Sequence, residues 1–124
     1  MIIRLLVCIM LLTPCLAFAA DASGVYKVGK KKYTYTYQRS DKQTAFAWQP
    51  SLPDEEKTLV DAVKFTIGIA LGKDALDSPE YEAGKIDGTP ILRFKGRGHF
   101  INAAFVQNEK SGKVEAWSIF ESDK

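Results

Sequence analysis

Ser51-Leu-Pro-Asp-Glu-Glu-Lys-Thr-Leu-Val-Asp-Ala-Val-Lys-Phe-Thr-Ile-Gly-Ile-Ala-Leu71-Gly72 is the stretch on which the fold turns. Projected at ~100° per residue, Lys57, Asp61, Lys64 and Gly68 fall on one narrow strip. Leu59, Val60, Ala62, Val63, Phe65, Ile67, Ile69, Ala70 and Leu71 fill the remaining arc, so the spacing predicts a helix over 57–71. Ser51, three residues before Asp54, reads as a capping box. The carboxylates of Asp54, Glu55 and Glu56 suit the positive end of a helix dipole, and Gly72 suits its close. The apolar arc is wider than contact with one flat sheet uses. Its flanks call for a curled sheet, the chain's own loops, an apolar ligand, or a second copy in a homodimer through the helix flank.

Outward from the helix lie short aromatic-rich runs with a period of two. Tyr33-Thr-Tyr-Thr-Tyr37 sets three tyrosines on one face with Lys32, Thr34, Thr36 and Gln38 on the other, and Thr44-Ala-Phe-Ala-Trp48 returns as its hairpin partner. Gly24 to Val28 precedes them as a short strand, and Pro50 and Pro53 are expected to end the sheet before the helix. After the helix, Lys73 to Pro79 reads as a polar connection and Tyr81 to Ile86 as a weak strand. Asp87-Gly88 is a tight-turn signal leading into Pro90 to Lys95. His99 to Val106 is apolar on both faces and reads as central in the sheet. Lys113 to Phe120 closes the chain. The order β-β-β-α-β-β-β-β defines an α+β domain, a single helix packed on a curved antiparallel sheet of about six strands. The second half, helix then Ile86-Asp-Gly-Thr-Pro-Ile-Leu92 then two hairpin strands, is similar in arrangement to small helix-on-sheet domains of the PsbP kind. That resemblance implies a fold and no site.

Residues 1–19 form a secretory signal peptide: Arg4, an apolar run from Leu5 to Leu16, then Ala17-Phe-Ala19 before Ala20. The run is shorter than the ~20 residues of a membrane span and contains Pro14. Cleavage after Ala19 leaves residues 20–124 as one domain, exported and most simply periplasmic, with no transmembrane segment. Lipidation at Cys15 is the alternative, with Pro14 departing from the small residue such a signal carries before its cysteine. Both cysteines, Cys8 and Cys15, leave with the leader, so the mature domain is disulfide-free and offers no thiol nucleophile or thiolate ligand. Of 17 basic and 15 acidic side chains, loss of Arg4 leaves 16 against 15. That balance argues against nucleic acid as a partner. Neither Asn102 nor Asn108 begins a glycosylation sequon.

No catalytic set stands out. His99 is the single histidine, and neither Ser111 nor Ser118 lies in a nucleophile elbow. One histidine without cysteine gives no metal set, and no cofactor motif occurs. The carboxylates at Asp54 to Glu56, Glu80, Glu82, Glu115 and Glu121 each suit capping or an exposed strand face, which leaves a carboxylate-based cell-envelope hydrolase as the weakest expectation. Two groups suit a binding surface. Arg93, Lys95 and Arg97 alternate with Leu92 and Phe94 as a cation ladder that fits an acidic protein or an anionic envelope polymer. Tyr33, Tyr35 and Tyr37 supply apolar bodies with polar tips, or else bury themselves against Phe46 and Trp48. The expectation is a non-catalytic exported binding protein of the inhibitor or immunity type, using its open sheet face. The alternative is a carrier holding a small apolar ligand between helix and sheet.

Overall fold

A computed structural model describes residues 22–123. The expected signal peptide and Cys15 lie outside the described residues. The strands are β1 (Ala22–Val28), β2 (Lys31–Arg39), β3 (Gln43–Leu52), β4 (Leu76–Ile86), β5 (Thr89–Gly96), β6 (Phe100–Gln107) and β7 (Val114–Ser122), with one helix, α1 (Glu56–Leu71), between β3 and β4. They form one antiparallel sheet in the order β1-β2-β3-β7-β6-β5-β4. The α+β class and the order of elements are as expected, with seven strands in place of about six. Two meanders, β1-β2-β3 and β4-β5-β6-β7, meet where β3 pairs with β7. The last strand is therefore the middle one, and α1 carries the chain from the junction to the far edge.

Local departures from the sequence expectation have local causes. β3 runs through Pro50 to Leu52, where the expected capping box should begin, and Gln49-Pro50 is cis. Pairing with β7 shifts register between Ala47 and Leu52, which accommodates a proline that cannot donate to a ladder. Ser51 thus belongs to a strand. The helix starts instead from Glu55 in extended conformation, whose Oε1 accepts from Thr58 Oγ1 at 2.6 Å. The segment before Tyr81 is strand from Leu76 onward, with an irregularity between Leu76 and Tyr81 around Pro79. On an edge strand such a break is tolerated and discourages edge-to-edge pairing. Asp87 and Gly88 both take positive φ, 50° and 82°, as the tight hairpin between β4 and β5 requires.

The helix lies on the inner face of the sheet, over Phe46, Trp48, Phe94, Ile101, Trp117 and Ile119. Trp117, on the middle strand, donates from Nε1 to Thr66 Oγ1 at 2.9 Å, and Thr66 Oγ1 donates on to Val63 O at 2.8 Å. Both residues are fully buried, so this bond fixes the helix to the sheet at its centre. The flanks are covered by the chain itself. The β1-β2 wing brings the Tyr26 and Tyr35 rings to 4.8 and 5.5 Å from that of Phe65, leaving it 37% exposed. At the other flank Tyr81 Oη donates to Glu56 Oε2 at 2.8 Å. Arg39 of β2 donates to Ile69 O at 2.6 Å and supplies a cation for the helix C-terminus, whose own last turn carries none. The two wings of the sheet thus cover part of the wide apolar arc, while Phe65 and Leu71 stay 37% exposed.

Replacing Thr66 with valine keeps shape and removes the acceptor, leaving a buried indole N–H unpaired. Urea unfolding should show a loss of about 1–3 kcal/mol. In the Trp117→Phe background the same replacement should cost clearly less, because the donor is gone. An equal cost in both backgrounds would mean the bond does not couple helix to sheet.

Candidate functional site

Strand alternation sends most of the large side chains of β3, β6 and β7 inward and leaves small ones outside at the centre of the sheet. Phe46, Trp48, Ile101, Ala103, Phe105, Trp117 and Ile119 belong to the core. Their neighbours Ala45, Ala47, Ala104, Ala116 and Ser118 therefore lie on the outer face. The registers align them in two rows across the strands. Thr36, Ala47, Ala116 and Val106 form one, and Gln38, Ala45, Ser118, Ala104, Ile91 and Gly84 form the next. Val106 is 54% exposed at the end of the first row, and Val25 on edge strand β1 is 55% exposed. The middle of the outer face is thus shallow and largely apolar.

A polar row borders it. Gln43, Phe120, Asn102, Arg93 and Glu82 are successive cross-strand partners. Asn102 is fully buried although it stands on the outer face. Its Oδ1 accepts from Arg93 Nε at 2.9 Å, and its Nδ2 donates to Ser122 Oγ at 2.9 Å. Arg93 also stacks on Phe100, with its guanidinium carbon 5.3 Å from the ring centroid. Held by a hydrogen bond and a cation–π contact, the guanidinium loses little further freedom on meeting an anion. Its described hydrogen bond uses Nε alone, and among the described residues it forms no ion pair, not even with its cross-strand partner Glu82.

The expected ladder is two rungs long on the strand. Leu92 and Phe94 point into the core, which places Arg93 and Lys95 outside. Arg97 lies past the end of β5, where its carbonyl oxygen is 2.9 Å from His99 Nδ1. The tyrosines face the helix: Tyr33 is 4% exposed and part of the core, while Tyr35 and Tyr37 are half-buried against Phe46 and, for Tyr35, Trp48. Gly24 makes room for this, since a Cβ there would come within 2.6 Å of Tyr35 Cζ. His99 precedes β6 and contacts Glu121 through Nε2 at 2.6 Å. Asn102 and the alanine rows escaped the sequence reading. The signal was present in the small-large alternation of Ala45-Phe-Ala-Trp48 and Ala116-Trp-Ser-Ile119.

On the inner side, beside the start of α1, a cleft of about 300 Å³ opens between helix and sheet. Leu59, Leu92, Phe105 and Val114 line its depth, while Asp54, Glu56 and Gln107 bring polar groups. Asp54 and Glu56 are thereby together, whereas Glu82 lies on the opposite face of the sheet. Among the described residues no three His, Cys, Asp or Glu side chains are grouped to hold a metal. No helix of the described residues is long and apolar enough to cross a membrane.

No family model, curated protein or solved structure matches this chain.

The Tyr81–Glu56 contact gives a titration that reports on the cleft rim. The hydrogen bond to the Glu56 carboxylate is the main cause that raises the Tyr81 phenol above its ordinary value of 10.0, with burial and the carboxylate charge adding to it. The folded state therefore keeps the proton after the unfolded chain releases it, so this contribution is present below pH 10 and is lost as pH rises through the folded value. Tyrosine-resolved NMR titration should show Tyr81 ionising late, and Glu56→Ala should lower its midpoint. An unchanged midpoint in that variant would show the contact is not made in solution.

Proposed function

We propose that this chain is a non-catalytic exported protein that binds a protein partner through the outer face of its sheet, as an inhibitor or immunity-type factor does. The observation that carries it is the composition of that face. Three interior strands present Ala45, Ala47, Ala104, Ala116 and Ser118 where an open antiparallel sheet ordinarily carries long polar side chains. A shallow apolar centre beside a prearranged arginine has the anatomy of a protein interface, an apolar core with a charged border. Arg93 and Lys95 then select partners with carboxylates at the matching edge. Export rests on the pattern of residues 1–19. A second reading, a carrier of a small apolar ligand, is favoured by the cleft beside the helix.

Affinity capture from periplasmic extract, followed by cross-linking, tests the first reading. Ala47→Glu with Ala116→Glu places charges in the apolar rows and should abolish capture of the partner. Arg93→Glu with Lys95→Glu should weaken it by about tenfold or more. A partner captured equally by both variants would remove the sheet face from the interaction.

A further inference from the structure

We infer that the cleft at the start of α1 is a binding site for a small amphiphile with a single apolar chain or ring and a cationic, ammonium-type head. This rests on the second reading above and adds the charge of the ligand. The space, about 300 Å³, is worth about ten water molecules and lies at the small end of ligand pockets. Its depth is apolar, formed by Leu59, Leu92, Phe105 and Val114, so it favours a hydrocarbon body over water. Ala83 of edge strand β4 stands at its side, exposed and small enough to leave the entrance open.

The head group follows from the charges. Among the described residues Asp54 and Glu56 are the only ionisable side chains lining the cleft, and neither forms an ion pair. Tyr81 Oη holds Glu56 Oε2 at 2.8 Å, which orients that carboxylate. The helix N-terminus contributes only about half a positive charge, which leaves two carboxylates under-compensated. An anionic head would meet two like charges there, and a neutral head would leave the imbalance untouched. A cationic head meets complementary charge while its chain enters the apolar depth. At contact distance one such pairing in water is worth about fivefold in affinity.

Three eight-carbon probes separate chain from charge: octylammonium, octanol and octanoate, each titrated below its aggregation limit and followed by amide chemical shifts. Octylammonium should move the amides of Leu59, Ala83, Leu92 and Phe105 and bind about fivefold more tightly than octanol, with octanoate weakest. Asp54→Asn with Glu56→Gln should erase that preference, bringing octylammonium down to the level of octanol. Both replacements are at exposed positions, so the fold is kept. Ala83→Trp should block all three probes. Octanol or octanoate binding as tightly as octylammonium would overturn the cationic assignment while the carrier reading stands. If none of the probes moves the cleft amides, both fall.

Discussion

The hydrogen bond from Trp117 to Thr66 is the contact on which the rest of the architecture depends. It joins the middle strand to the middle of the only helix among the described residues, both ends fully buried. Around it the Trp117 ring meets that of Trp48 tilted at 5.1 Å and that of Phe105 edge-on at 5.6 Å, so one residue touches both meanders and the helix. The polar bond adds direction to that packing. A purely apolar contact would let the helix slide along the sheet, whereas an indole N–H buried without an acceptor carries a penalty. Trp48 shows the contrast, since its Nε1 is buried with no hydrogen-bond partner among the described residues and lies among the rings of Tyr26, Tyr35 and Trp117.

Placing the tryptophans and most large side chains of the central strands on one side of the sheet has a consequence on the other. The inner face takes the tryptophans and Phe46, and the residues between them are alanine and serine, so the outer face is low and smooth at its centre. The same alternation brings Asn102 outward, where a network with Arg93, Ser122 and the Phe120 carbonyl satisfies its amide. That network fixes an arginine at the border of the smooth area. Core packing and the outer surface are thus two results of one pattern, and a substitution that disturbs the first reaches the second through the strand.

The helix and the class of fold were visible in the chain because they rest on short-range periodicity. The Leu59-to-Leu71 pattern and the Tyr33-to-Tyr37 alternation need no knowledge of neighbours. The helix start was misplaced because Ser51 and Asp54 satisfy a local rule that pairing of β3 with β7 overrides. β4 was shortened because Pro79 and the acidic residues around it read as a loop, although an edge strand tolerates them. The tyrosine ladder was placed on one face correctly, but which face looked inward depended on strands far away in sequence. The cation ladder lost Arg97 because Gly96 ends the strand one residue earlier.

The sequence alone determined that one amphipathic helix is followed and preceded by antiparallel strands, and that the charges nearly balance. Local spacing encodes those properties, through side-chain direction along a strand or helix. The tertiary structure decided that β7 lies between β3 and β6, that the β1-β2 wing brings Tyr26 and Tyr35 against Phe65, and that Asp54 and Glu56 overlook an apolar cleft. It also aligned alanines from three strands into rows. These are long-range pairings, set by how two meanders share one helix, and no window of sequence contains both partners.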